Sequence, residues 1–329
     1  MRLLKPRFYK SLSIIAVTAA LGLLAVQHSS AQSKQYLIGF SQLAFDDPWR
    51  VAFNNQMTKA AGKFPDFKLV TVNAQRDSAK QVADVENLVQ QKIDLLIISP
   101  NEAAPLTTIV KKVYDSGIPV IVLDRNVLGE AYTMFIGADN KLIGTKAGAY
   151  VAKWCADKKI SPCNVLEVTG LSGSTPAQER GAGFREGIKA NPKVKITASV
   201  TSEWQKAKAV PAAAAAFQAS KRFNVVYAHN DDSTEGAYIA AQNANLNLKK
   251  MLFLGIDGLP DKNGAIVSIL QGRLGATFVY PNGAAEAIDW AHKILTKGEK
   301  PPKTITLGTD EITTANAKEA CEKYDCEIK

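Results

Sequence analysis

The sequence predicts an α/β protein of two lobes, each built on a doubly wound parallel sheet. Three observations carry this. Short, strongly apolar, β-branched runs alternate with helix-length segments along the chain. The apolar runs are continuous rather than alternating, which is the pattern of strands buried on both faces by helices. And once a leader is set aside, 298 residues remain, more than a single hydrophobic core usually organises.

Taken in order, the strand candidates are "YLIGF" from Tyr36, "KLVTV" from Lys68, "DLLIIS" from Asp94 and "PVIVLD" from Pro119. They continue with "NVLEVTG" from Asn164, "VKITASV" from Val194, "NVVYAHN" from Asn224, "MLFLGID" from Met251 and "GATFVY" from Gly275. Helices are expected over 49–61, 78–91, 103–115, 140–156, 177–190 and 206–220, with a further helix in "AAEAIDWAHKIL". The alanine-rich stretch 209–220 reads as a helix with a small-residue face, Pro211 belonging near its first turn. "KGEKPPK" (297–303) is a polar, proline-rich link. Regular β-α alternation of this length is what a doubly wound architecture requires.

The N-terminus reads as an export signal. Arg2, Lys5, Arg7 and Lys10 precede the apolar run "SLSIIAVTAALGLLAV", and small residues close it at 29–31. The run is short for a membrane span, so residues 1–31 are expected to be cleaved after Ala31, releasing the protein to the periplasm. Removing those four positive charges from the formal +9 leaves about +5, without a basic run. Nucleic acid is a poor partner for such a chain. Export makes disulfides possible. Four cysteines allow three connectivities; the close spacings suggest Cys155–Cys163 and Cys321–Cys326. Zinc is disfavoured, because neither His229 nor His292 lies near a cysteine pair. No metal or cofactor is expected.

In open α/β sheets ligands bind beyond the carboxyl ends of the strands. The polar and aromatic residues gather there. "FSQLAFDDPWR" follows the first strand with Asp47, Trp49 and Arg50. "LDR" ends another with Asp124 and Arg125. "HND" supplies Asn230 and "GIDG" supplies Asp257. Each acid alone would serve as a helix cap or turn residue; four such strand ends together describe a cleft for a polar small molecule. Carboxylates accept from hydroxyls, arginine forks donate to neighbouring oxygens, and an aromatic ring covers C–H surface.

"GFSQ…WR", "VLDR", "CNVLEVTG…ERGAGFREGI", "VYAHND" and "GIDG", in this order, resemble the periplasmic sugar-binding proteins of ABC transporters. The resemblance is to the ribose-binding-like family, within it to the galactofuranose-binding branch, and spans essentially the whole mature chain. It implies a type I periplasmic binding protein (Venus-flytrap) fold with three crossovers near 137–140, Tyr280 and 304–307. The lobes would be 35–138 with 281–304, and 139–280 with 305–329. It further implies one sugar in the cleft, Asp124 and Arg125 with Trp49, Arg50 and Asp47 gripping from the first lobe. Arg180, Asn230, Asp257 and an aromatic lid at Trp204 grip from the second, with Tyr280 at the crossover. The implied partners are the ABC permease subunits of the inner membrane, and the protein is expected to be a monomer.

Enzymes fit poorly. "GLSGST", from Gly170, has neither dinucleotide-binding nor P-loop spacing, and the nucleophile elbow GxSxG is absent. A repressor's effector domain would carry a helix-turn-helix where the leader stands. A receptor for chemotaxis or signalling would use the same ligand chemistry with another membrane partner, and the sequence does not separate it from an importer.

Overall fold

The structure, a computed structural model, describes residues 34–326. The expected leader lies outside the described residues, within which no helix is long and apolar enough to cross a membrane.

The first lobe begins β1 (Tyr36–Gln42), α1 (Pro48–Ala61), β2 (Phe67–Asn73), α2 (Ser78–Gln90), β3 (Leu95–Ser99), α3 (Ala103–Asp115), β4 (Val120–Leu123) and β5 (Met134–Ala138). The second lobe continues with α4 (Asn140–Asp157), β6 (Cys163–Thr169), α5 (Thr175–Gly187), β7 (Val194–Thr201), α6 (Lys206–Ala219) and β8 (Val225–Ala228). It is completed by α7 (Asp231–Asn243), β9 (Leu252–Leu254), α8 (Ala265–Leu270) and β10 (Ala276–Phe278). The chain then returns through α9 (Ala284–Lys297) and β11 (Thr304–Leu307), and ends in β12 (Glu311–Thr313) and α10 (Ala317–Lys323). The sheets have the orders β11-β5-β4-β3-β1-β2 and β12-β10-β9-β8-β6-β7, parallel except for β12 against β10.

β3 and β4 are buried at every residue, as their unbroken apolar sequences require. The edge strand β7 instead alternates, burying every second side chain only in part. β11 pairs with β5 from Thr304↔Phe135 to Leu307↔Ala138, so the chain stays in the first sheet through Leu307. The last crossover therefore falls between Leu307 and Glu311, beyond the boundary expected at 304. At the preceding crossover Gly283 caps α9 with φ of 68°, a left-handed conformation that glycine adopts without steric cost.

Two expectations are corrected. Cys155 and Cys163 form a disulfide, but Cys321 and Cys326 are free thiols. Cys321 is buried on α10, whereas Cys326 follows the helix end and Asp325, whose φ is 55°. Its backbone N–H donates to Cys321 O (2.9 Å), and burial, then the neighbouring Cys321, push its thiol up to about 12. Pro211 lies in the second turn of α6 rather than the first, on the exposed face, where the carbonyl it leaves unpaired meets water.

Candidate functional site

All ten residues singled out in the sequence line one narrow cavity between the lobes, joined by Pro176. Nine of them are buried, and Asp47 is half-buried. The lobes meet along its rim: Ala103 N–H donates to Gly173 O (2.9 Å), and Asn126 N–H to Thr175 Oγ1 (3.0 Å). The cleft is thus in a closed arrangement.

The first-lobe wall is internally paired. Asp47 caps α1, accepting from Arg50 N–H (2.8 Å), which fixes the helix whose first turn carries Trp49 and Arg50. Arg50 Nη2 reaches Asp124 Oδ2 at 2.7 Å, and its Nη1 donates to Ser99 Oγ and Gln42 Oε1. Ser99 Oγ and Tyr280 Oη also donate to Asp124, each at 2.9 Å. Burial pushes the Asp124 carboxyl up, but Arg50 and Arg125 outweigh it and hold the group below the usual range. Arg125 donates through Nη1 to Asn101 O (2.6 Å) and holds the rest of its fork toward the cavity. Burial, then the charge of Arg50, lower its pKa to about 9. Trp49 lies under Arg50 (4.6 Å) and beside Tyr280, to whose carbonyl its Nε1–H donates (2.8 Å).

The second-lobe wall is less complete. Arg180 is positioned by Asn140 Oδ1 (2.8 Å) and by the carbonyl of His229, leaving Nη2 without a partner among the described residues. Asn230 caps α7 and donates to Trp204 O (3.2 Å). Asp257 is 8% exposed, and its carboxylate has no hydrogen-bond or ion-pair partner among the described residues. Burial, then the neighbouring Asp231, push its pKa well above the carboxylate range. Asp231 itself accepts from Gly258 N–H and Thr277 Oγ1, yet burial carries it up to about 7. Trp204 Nε1 is buried without an acceptor. Its ring lies on Gly170, where a Cβ would come within 2.2 Å of it, and sits 5.3 and 5.4 Å from the guanidinium carbons of Arg125 and Arg180. "GLSGST" is therefore a close-packing turn: Gly170 seats the tryptophan and Gly173 faces Glu102.

Asp124, Trp204 and Asp257 have φ of 67°, 72° and 146°, conformations that side-chain-bearing residues rarely adopt. Such strain concentrates at binding sites, where surrounding structure enforces it. Behind the wall, Glu167 is fully buried and accepts from both Arg185 guanidinium nitrogens (2.9 and 2.8 Å), Ser199 and His229 Nε2. Burial raises it, but the bonds from His229 and Arg185 bring it down to about 2. Burial lowers His229, so its ring is neutral and donates from Nε2, which leaves Nδ1 a bare acceptor without a partner.

Gln42, Ser99, Asn101 and Asn140 complete the site and were not singled out in the sequence. The signal for the first two was present: both are the last residues of their strands, at the ends where ligands bind, and there they hold Arg50 from behind. Asn140 had only the crossover motif around it, and Gly170 carries no side chain to notice.

Among the described residues no cluster of histidine, cysteine or carboxylate side chains has the geometry to hold a metal ion. The arrangement offers donors, acceptors and aromatic faces, which is binding chemistry.

Comparison with known proteins agrees. The periplasmic binding protein domain matches residues 38–300. The galactofuranose-binding protein YtfQ of Escherichia coli is 31% identical over 96% of this chain and 98% of its own. The ribose import binding protein RbsB of Bacillus subtilis is 30% identical over 84% and 87%. Among solved structures, the fructose-binding periplasmic domain of a hybrid two-component system superposes with a TM-score of 0.83 at 36% identity, covering 88% of this chain and 95% of that one. A crystal structure of a galactofuranose-binding protein gives 0.82 at 30%, covering 88% and 98%. With two mostly parallel six-stranded sheets flanking a polar cleft, the chain has the type I fold and belongs to the periplasmic binding proteins, a family of solute binders and not of enzymes.

Proposed function

We propose that this protein binds one uncharged monosaccharide, a furanose or related aldose, between its lobes and delivers it to an ABC-type permease for import. The observation that carries the reading is the state of the polar groups in the closed cavity. Asp257, Arg125, the Nη2 of Arg180 and the Nε1 of Trp204 have unspent bonding capacity while buried. A sugar supplies both hydroxyl donors for the carboxylate and oxygens for the guanidinium and indole N–H groups. Trp49 and Trp204 would cover its C–H faces. The relatives named as ribose-import and galactofuranose-binding proteins support the ligand class.

The open form exposes half a site on each lobe, and only closure completes both halves, so ligand shifts the equilibrium by its differential affinity. Moving it from mostly open to mostly closed needs about 5 kcal/mol. A few charge-assisted hydrogen bonds at about 1.5–3 kcal/mol each are enough. The closed surface is then what the permease recognises. Export by cleavage after Ala31 places the protein in the periplasm, where that permease is reached.

A thermal-shift screen over pentoses, hexoses and polyols tests this. A ligand at ~100 times its Kd adds about 2.7 kcal/mol and raises the melting midpoint. Arg125→Ala or Asp257→Ala should abolish the shift while the protein stays folded; a shift that survives both substitutions contradicts the site. Scattering should show a more compact particle with sugar, and identical dimensions with and without a tightly bound sugar would exclude closure.

One observation favours a second reading, a sensor feeding signal transduction: the fructose-binding relative is the periplasmic domain of a two-component system. Transport of the sugar lost on deleting the gene would favour import; loss of a transcriptional response with uptake intact would favour sensing.

A further inference from the structure

A second cavity, of about 330 Å³, adjoins the first. Asp47, Trp49, Asn230 and Asp257 form the wall common to both. The start of α1 supplies it from one lobe, and α7 with the loop from Leu259 to Gly264 supplies it from the other. Its inner wall is buried at Asp231 and Asp257, while Ile239, 37% exposed, and Asn263 lie at its solvent side. With the lobes closed, this annex lies between the shared wall and water. The annex lies at the small end of the range for ligand pockets (~300–1,000 Å³).

The annex also has a sign. Its two cations are already matched, Lys206 by Asp232 (3.0 Å) and Arg273 by Glu235 (2.8 Å), and Asp47 is matched by Arg76 (2.9 Å). Asp231, Asp257 and Asp261 remain without an ion-pair partner among the described residues, Asp231 being hydrogen-bonded to Gly258 N–H and Thr277 Oγ1. Asp257 is the decisive one, because it is more than nine-tenths buried, has no hydrogen-bond partner among the described residues and stands where the two cavities join. Trp49 gives an aromatic face at the same junction, and Ile239 and Leu259 give apolar surface beyond it. Unspent acceptors between apolar patches suit a hydroxylated, uncharged ring; a phosphate or uronate would meet carboxylates with no free cation.

We infer that the annex is a subsite for a neutral glycosyl or alkyl extension carried by the bound sugar, so that the protein takes short glycosides as well as the free monosaccharide. The inference rests on the sugar-binding reading. The extension projects between α1 and α7, contacts both lobes and adds to the preference for the closed form.

The test is calorimetric titration of the full mature protein with D-fructose, D-galactose and D-ribose. Each is compared with an O-glycoside (sucrose, lactose, methyl β-D-ribofuranoside) and with a phosphate ester. For whichever free sugar binds, its glycoside should bind within about tenfold of it, and the phosphate ester should bind at least about a hundredfold more weakly. Ile239→Trp fills the annex from its exposed side without touching the inner cavity. It should weaken the glycoside by at least about tenfold and leave the free sugar within about twofold. A free sugar that binds while its glycoside does not would overturn the annex alone, as would an Ile239→Trp variant that binds both like the parent. If none of the free sugars or glycosides binds, the sugar-binding reading falls and the annex falls with it.

Discussion

The two walls of the cleft are built on opposite principles. The first-lobe wall is paired around one carboxylate: Arg50 and Asp124 meet at 2.7 Å, Ser99 donates to the same group, and Tyr280 reaches it from the crossover, while Arg125 keeps donors for a ligand. The second-lobe wall holds a buried carboxylate with no partner, a buried indole N–H with no acceptor, and an arginine satisfied only on one edge. One half keeps its shape without ligand; the other is complete only when ligand arrives. Preorganisation on one side lowers the ordering cost of binding, and unmet bonding capacity on the other provides the reason to close.

Matched substitutions across the cleft sharpen this contrast. Asp124→Asn should produce the largest loss of stability, about 3–5 kcal/mol, because it leaves the buried Arg50 guanidinium without its counter-charge. Chemical denaturation measures it, and sugar binding should be lost as well. Asp257→Asn should do the reverse to the unliganded protein, leaving stability unchanged or higher, since burial and Asp231 outweigh what Arg180 offers that carboxylate. It should nonetheless weaken sugar binding about a hundredfold, the worth of one or two charge-assisted hydrogen bonds. If both variants lose stability equally, the walls are not different in kind.

Gly170→Ala should act next. The added methyl collides with the Trp204 ring from behind and drives it into the cavity. Affinity should fall about tenfold while Trp204→Ala in the same background largely cancels the effect of the methyl, a coupling that a double-mutant cycle reads directly. Additive losses would mean that the glycine does not seat the ring.

pH gives the smallest and most selective effect. Asp124 lies below its ordinary value of 3.8, so its stabilisation is fully present above that value and fades only as pH falls through its lowered folded pKa. Asp257 lies well above the same value, so the unliganded closed form loses stability as pH climbs from 3.8 toward the raised pKa. Hydroxyls donated to the ionised Asp257 offset that loss. Sugar affinity should therefore rise as pH climbs from 3.8 toward the raised pKa of Asp257, and Asp257→Asn should flatten the profile. A parent protein with a flat profile would remove Asp257 from the ligand's contacts.

The contrast between the walls also marks what could be read without coordinates. Strand ends carrying Asp124, Arg125, Asn230 and Asp257 were legible because the sheet architecture dictates where ligands bind. Arg180 and Trp204 sit on no strand end and were reached only through resemblance to a family. Gln42 and Ser99 obeyed the strand-end rule, yet single small polar residues closing an apolar run read as turn chemistry. The parallel strands were legible where burial makes them uniformly apolar, as in β3 and β4. The strand β5, "MFIGA", and the short β11 and β12 were not, because strands of three to five residues beside the crossovers carry too short a pattern, and their pairing is settled by partners distant in sequence. Cys321 and Cys326 show the limit of spacing as a guide: five positions apart in sequence, they are placed by a helix end that leaves them as thiols.

The most direct measurement is the crystal structure of the mature protein with whichever sugar gives the largest thermal shift. One sugar should occupy the inner cavity, two of its hydroxyls donating to the Asp257 carboxylate and its oxygens accepting from Arg125 and Arg180. The Arg50–Asp124 pair should remain as it is. A sugar bound elsewhere, or one held in the cleft while Asp257 makes no contact with it, would contradict the division of labour between the two walls.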